Sequence, residues 1–391
     1  MNVIEKLTLL AENMDVVDPM SHPGSAPPCH SSLKKNLEPQ ITFAGLPGGG
    51  SIPLLKAMVT SICEKNCLYC AFRSGRDTER VTFSADELAD TFLNLVNKDI
   101  AKGLFLSSGI LVGGVYSQDR IIDTAEILRK KKNFQGYMHL KIMPGAEKDQ
   151  IRQLMLQADR VSINLEAPNP HRLEKLAPKK SFFEELYTRL KWVQEIRSEN
   201  VTNLNWRNRW PSLTTQFVVG PAHESDAELI RTSQYLFKEF HLARIYYMAF
   251  SPVTGTPFSD LPAENPIREH RLYQSSFLLR DYQFSLEDFE FDLNGNLSLE
   301  NDPKSTWAKK NLAHNPLEIN KASYERLIRV PGIGSIKARK IISYRRHHLI
   351  RNEDDLKNLG VSVNSSGAYL LLNGRRIPRQ LSLEMPRVAT D

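Results

Sequence analysis

The sequence predicts an α/β fold built around a parallel sheet, and three observations carry that expectation. Six apolar runs of strand length alternate with amphipathic runs of helix length. Two of the helical runs open with a capping box, Ser84-x-x-Glu87 and Ser225-x-x-Glu228, whose side chains satisfy the first free backbone N–H groups. The residues with the most chemical potential follow strands directly, where α/β sheets gather their ligands. Strands separated by helices are compatible with an open sheet or with a partial barrel.

The elements follow in order. Met1 to Asn13 reads as a short amphipathic helix with acidic residues, unlike a secretory leader. Asp15 to Gly50 is rich in Pro, Gly and Ser, and reads as an irregular lead-in carrying Cys29 and His30. Strands are expected at Leu54–Thr60, Leu104–Ser108, Tyr137–Ile142, Arg160–Leu165, Thr214–Val219 and Arg244–Phe250. Between them the periodicity predicts helices near 86–97, 119–131, 147–156, 182–197 and 226–240. A tract containing Trp206, Trp210 and Pro211 reads as an inserted loop before the fifth strand. A helix is expected near 267–282, then a polar connection. The expected domains are 1–50 (helix and lead-in), 51–290 (barrel), 291–316 (linker), 317–373 (a small all-α module) and 374–391 (tail).

With 41% hydrophobic and 25% charged residues, the chain is of ordinary globular type. No apolar run is long enough to span a bilayer, so the expected location is cytoplasmic. The charge is uneven. From Leu317 onward there are 14 Lys+Arg against 7 Asp+Glu, and the rest holds 37 against 38, so a polyanion partner is expected for the C-terminal module.

Of four cysteines, three fall within eight residues, as Cys63-Glu-Lys-Asn-Cys67-Leu-Tyr69-Cys70 directly after the first strand. A disulfide framework spreads its cysteines, whereas clustered thiols point to a metal ion or an iron–sulfur cluster. A closed zinc site needs four ligands, and Cys29 or His30 would supply the fourth. Cx3Cx2C spacing with an aromatic before the last Cys resembles the radical S-adenosylmethionine (SAM) superfamily. The resemblance implies a partial (β/α)6 TIM-like barrel and a [4Fe–4S] cluster on Cys63, Cys67 and Cys70, with SAM chelating the iron left open. It also implies reductive cleavage of SAM to a 5′-deoxyadenosyl radical. Ser107 and Ser108 stand where many members carry Gly-Gly-Glu for the SAM amino group. Ser162, Asn164 and Glu166, two apart on a strand, suit the ribose and methionyl end. Gly220 matches the strand that contacts adenine.

From Glu318 the chain has two short helical patterns around Val330-Pro331-Gly332-Ile333-Gly334, and this resembles the helix-hairpin-helix of DNA-repair proteins. There the hairpin N–H groups hold a phosphate. Gly332, Ile333, Gly334, Lys337, Arg339 and Lys340 are the candidate nucleic-acid residues, with DNA ahead of RNA and salt-sensitive binding expected. Asp354 to Gly360 resembles a degenerate second half.

The whole chain further resembles bacterial-type radical SAM proteins assigned to DNA modification or repair. It does so through Gly103 to Gly109, His139-Leu-Lys141, Pro144-Gly145-Ala146, Leu176 to Ser181 and Arg268 to Gln274. That resemblance implies a uracil-DNA-glycosylase-like partner and a reductant such as flavodoxin or ferredoxin. Lys141 is a candidate partner for the SAM carboxylate or a substrate phosphate, and His270 with Tyr273, spaced i and i+3, for the active site. Solvent exposure and core packing are the respective alternatives. Cys29 is a candidate hydrogen donor to a product radical, with an inert buried thiol as its alternative.

Overall fold

A computed structural model of the chain describes residues 3–14, 41–45, 51–199 and 206–377, in two compact units, Met1–Glu269 and His270–Asp391. The first unit carries a seven-stranded sheet in simple chain order: β1 (Ile41–Gly45), β2 (Ser51–Met58), β3 (Gly103–Ser107), β4 (Tyr137–Lys141), β5 (Arg160–Ser162), β6 (Ser212–Val219) and β7 (Arg244–Ala249). β2 to β7 pair in parallel, the order of a partial (β/α) barrel, and these are the six strands expected from sequence. β1 is a correction. It pairs antiparallel with β2 inside the stretch read as irregular, because Ile41 to Gly45 matches Leu55 to Ser51 in register.

The helices are α1 (Val3–Met14), α2 (Ala85–Asn97), α3 (Gly113–Glu126), α4 (Lys148–Gln157), α5 (Pro170–Leu176), α6 (Thr188–Ser198), α7 (Asp226–Phe240) and α8 (Pro266–Asp281), and α8 carries the boundary between units. Both capping boxes form, at Ser84 with Glu87 and at Ser225 with Glu228. In α7 the buried Leu229, Ile230, Ser233, Leu236 and Phe240 repeat at helical spacing and seat it on the sheet. The aromatic tract before β6 is anchored by stacking, with the Trp206 ring 3.9 Å from the Arg129 guanidinium and 4.4 Å from that of Arg207.

The second unit holds α9 (Pro303–Leu312), β8 (Leu317–Glu318), α10 (Tyr324–Leu327), α11 (Ser335–Tyr344), α12 (Glu353–Asn358), α13 (Val363–Ser366), β9 (Leu370–Leu372) and β10 (Arg375–Arg376). Two expectations change here. The supposed linker contains α9, capped by Asp302 with Pro303 in its first turn, and its Ala308 and Leu312 join Leu327, Ile333, Ala338 and Ile341 in one core. The module is also not purely helical, since β8, β9 and β10 form a three-stranded sheet. No helix among the described residues is long and apolar enough to cross a membrane.

Candidate active site

The chain leaving β2 folds into the loop that carries Cys63, Cys67 and Cys70. Its first part is laced to the end of β3: Val59 N–H donates to Ser107 O (2.9 Å), Gly109 N–H to Thr60 O (2.7 Å) and Glu64 N–H to Ile110 O (2.8 Å). The approach is so close that a Cβ on Gly109 would lie 2.1 Å from the Ile62 carbonyl oxygen. The far side is held by the last residue of α5 and the segment after it, through Leu68 N–H to Leu176 O (2.7 Å) and Lys65 Nζ to Lys179 O (3.0 Å). Arg80 closes the loop from beneath, donating to the carbonyls of Ser61 (2.7 Å), Phe72 (2.9 Å), Arg73 (2.8 Å) and Arg76 (3.3 Å).

Within this frame Cys67 is buried and Cys63 and Cys70 are half-buried. Cys70 Sγ accepts from Phe72 N–H at 3.4 Å. Burial pushes the Cys67 and Cys70 thiols up, and at Cys67 the Lys180 ammonium pulls in the opposite direction. The three cysteines open on a cleft with an enclosed volume of about 110 Å³. Ser107, Ser108, Lys141, Asn164 and Glu166 line it, as do Lys65, Tyr69 and Lys180.

Glu166 sits on a break in the sheet. β5 stops at Ser162, and the Thr215 hydroxyl bridges the gap, donating to Ile163 O at 2.7 Å and accepting from Leu165 N–H at 3.2 Å. The strand resumes only at Glu166, which takes a left-handed φ of 65° and pairs with Phe217. A continuous strand with 162, 164 and 166 on one face is therefore corrected. Asn164 and Glu166 line the cleft, while Ser162 lies below it, its hydroxyl 2.8 Å from His139 Nε2. Glu166 Oε1 accepts from Lys180 Nζ at 2.9 Å, both side chains being nearly buried. Burial alone would push the Glu166 carboxyl up, but Lys180 outweighs it and holds the carboxylate below its ordinary range. Lys141 Nζ donates to Asn164 Oδ1.

The remaining candidates lie elsewhere. Gly220 follows β6, its N–H donating to Glu224 Oε1 at 2.5 Å, and it is not among the lining residues. His270 is exposed and Tyr273 half-buried on α8, in the second unit, and the cleft is lined by first-unit residues alone. Cys29 falls outside the described residues. Lys180, Arg80 and Thr215 were not singled out from sequence. Lys180 alone left a signal, as part of the quoted Leu176 to Ser181 segment.

In the second unit, Gly332 takes a positive φ of 79° in the turn between α10 and α11, where a Cβ would lie 2.4 Å from Ser365 Oγ. The N-terminus of α11 has no side-chain cap, which leaves its first N–H groups for a ligand. Ile333 is corrected as a nucleic-acid contact: its side chain is buried in the core and its N–H donates to Val330 O at 3.1 Å. Arg339 and Lys340 are exposed, and Lys337 Nζ donates to Gly332 O at 3.0 Å. A further cation appears from α9, where Lys304 Nζ donates to Ile333 O at 2.7 Å and lies 4.8 Å from the Tyr282 ring.

Residues 58–236 match the family model of the Radical SAM superfamily, and residues 313–371 that of a helix-hairpin-helix motif. Curated proteins return no match. Among solved structures, the FeFe-hydrogenase maturase HydG from Carboxydothermus hydrogenoformans is similar at 16% identity and a TM-score of 0.45, covering 58% of this chain and 51% of its own. Methylornithine synthase PylB is similar at 12% identity and a TM-score of 0.45, with 58% and 61% covered. SuiB from Streptococcus suis, bound to S-adenosylmethionine, follows at 9% identity and a TM-score of 0.36, with 51% and 39% covered. The chain spans about half the length of the first of these.

A radical SAM domain works with a [4Fe–4S] cluster and SAM, and the residues here fit both. Three thiols share one clamped loop at the carboxyl end of a strand. Beside the thiols, the buried Ser108 Oγ has no hydrogen-bond partner among the described residues, and a polar ligand in the cleft would provide one.

Proposed function

We propose that this chain, whose residues 58–236 form a radical SAM domain, is an enzyme that cleaves SAM reductively and modifies or repairs a nucleotide in DNA. The observation that carries the reading is the convergence of Cys63, Cys67 and Cys70 with Ser107, Ser108, Asn164 and Glu166 on one cleft. Cys63, Cys67 and Cys70 would hold the cluster. When bound, it supplies the electron that splits the SAM sulfonium into methionine and a 5′-deoxyadenosyl radical.

The chain's own residues bind, orient and shield. The Ser107 and Ser108 groups stand ready for the SAM amino group, and Asn164 for its ribose or methionyl end. Glu166, fixed by Lys180, is a rigid acceptor rather than a mobile one. Met58, Phe72, Met143 and Pro144 give the cleft apolar walls that exclude water, which protects a reactive intermediate. A reductant such as flavodoxin or ferredoxin supplies the electron. The hairpin of the second unit binds nucleic acid through phosphates, DNA ahead of RNA, and a uracil-DNA-glycosylase-like protein is the proposed companion.

The test uses anaerobically reconstituted protein, dithionite and SAM, with 5′-deoxyadenosine measured with and without DNA or RNA. Formation that rises with DNA and disappears in Cys63→Ala supports the reading, and a rise with RNA alone moves the substrate to RNA. No cleavage at full iron load would refute catalysis and leave a nucleic-acid-binding protein with a structural metal.

A further inference from the structure

The segment 176–185 is fastened to the cysteine loop on both sides of Cys67. Leu68 N–H donates to Leu176 O at 2.7 Å, and Asn66 Oδ1 accepts from Lys179 N–H at 3.2 Å. Lys65 Nζ reaches the same segment twice, at Lys179 O (3.0 Å) and at Glu185 Oε1 (2.7 Å). Lys180 N–H donates to Ala177 O at 2.9 Å and closes a turn, and the Lys180 side chain lines the cleft together with Cys63, Cys67 and Cys70.

Around that ammonium the side chains form a circuit. Lys180 Nζ donates to Glu166 Oε1 at 2.9 Å and also to the Cys67 sulfur. Glu166 in turn accepts from the Tyr69 hydroxyl. The circuit Tyr69, Glu166, Lys180, Cys67 thus starts and ends on the cysteine loop, at positions two residues apart. Cys67 and Tyr69 are buried, and the Lys180 and Glu166 side chains are 9% and 5% exposed.

A buried lysine–glutamate pair commonly adds no stability over apolar packing of the same shape, so its presence here needs another account. The charges supply one. An ammonium has three donors, and Glu166 is a single neutralising partner. Lys180 acts on Cys67 more strongly than Glu166 does, and its charge also reaches Cys63 and Cys70. The three thiols therefore face a net positive neighbour that the protein itself holds in place.

We propose that Lys180 is a positioning residue that acts through Cys67: held by Glu166, it favours the reduced state of the bound cluster and so sets the potential at which the electron enters. Reduction adds one electron and no proton, and Lys180 stays charged throughout. A fixed cation and a hydrogen bond to a ligand sulfur both favour the more negative state. The inference rests on the cluster-bearing loop and not on the nucleic-acid substrate.

The test is a redox titration of the reconstituted full chain without SAM or DNA, so its outcome is independent of catalysis. Dithionite is the reductant, delivered through mediators, and the EPR signal of the reduced cluster is the readout. Lys180→Met lowers the potential. At the poise where the parent is half reduced, its reduced-to-oxidised ratio is expected to fall by about tenfold, the loss of one charge-assisted hydrogen bond, or about 59 mV for one electron. Glu166→Gln keeps an acceptor for Lys180 while removing the opposing charge, and it shifts the potential up. Lys180→Arg stays near the parent. Opposite shifts from the two members of one ion pair separate an electrostatic role from a structural one, which would move both variants alike. Should Lys180→Met load no iron, the direction of the Glu166→Gln shift decides. An unchanged potential in either iron-loaded variant would overturn the proposal. If Lys180→Met keeps the parent potential but loses SAM affinity, read from the change SAM makes in the EPR signal, the ammonium serves the SAM carboxylate instead.

Discussion

Arg80 is the most economical place to test whether the cysteine loop is held by the protein before any cluster binds. Its guanidinium donates to four loop carbonyls, at 2.7, 2.9, 2.8 and 3.3 Å, on residues that flank the cysteines on both sides. Arg80→Met keeps much of the alkyl stem and removes every donor. A net value of about 1 kcal/mol per bond, with the longest discounted, gives a loss of about 3 kcal/mol. That loss falls on the loop rather than on the barrel, because all four acceptors lie within the loop itself. At 1.4 kcal/mol per decade the ordered loop becomes roughly 100-fold less favoured.

The assay is iron and acid-labile sulfide per chain during an anaerobic chelator challenge, alongside thermal melting of the cluster-free protein. Arg80→Met is expected to melt close to the parent while releasing iron far faster, and Arg80→Lys, with fewer donors on a flexible stem, falls between them. A methionine variant that retains iron as well as the parent would refute the reasoning, because the loop would then be ordered by the cluster and not by Arg80.

Two further predictions concern the second unit. Replacing Lys337 and Lys340 by Gln should weaken duplex binding uniformly across sequences and reduce the magnitude of the log–log salt slope by roughly 2, read by fluorescence anisotropy between 50 and 200 mM salt. An unchanged slope would remove both side chains from the phosphate contact. Burial first, and Lys337 second, push the Lys304 ammonium down to about 8 while Asp302 opposes them. The unfolded chain keeps that lysine charged to about 10.4, so between these values the unfolded state binds more protons and stability rises with pH. Affinity for nucleic acid moves the other way: from pH 7 to pH 9 the parent loses a cation beside the hairpin, and anisotropy should report weaker binding. Lys304→Met should show a flatter profile.

How much of this could be read in advance depended on the range of the interactions. The alternation of apolar runs is local information, and it placed all six parallel strands and the helix 226–240 at or near their observed limits. The cysteine spacing is local too. By contrast, β1 gains its strand character only by pairing with β2, and its own five residues carry no sustained alternation. α9 was hidden in a polar stretch because its apolar residues are few and gain meaning only against Leu327, Ile333 and Ile341 across the unit. The break after β5 was unreadable for a related reason. Nothing between 162 and 166 signals a left-handed Glu, and the patch comes from Thr215, about fifty residues away.

The basic residues of the strands make the same point. Each is visible in the sequence as an isolated basic residue in an apolar run, and only Lys141 was weighed as a ligand. A lone lysine at a strand end is ordinarily a solvated side chain, and nothing in its neighbours argues otherwise. With β2, β3, β4 and β5 adjacent and in parallel register, residues from four separate stretches fall into one row, Lys56, Phe105, His139 and Arg160.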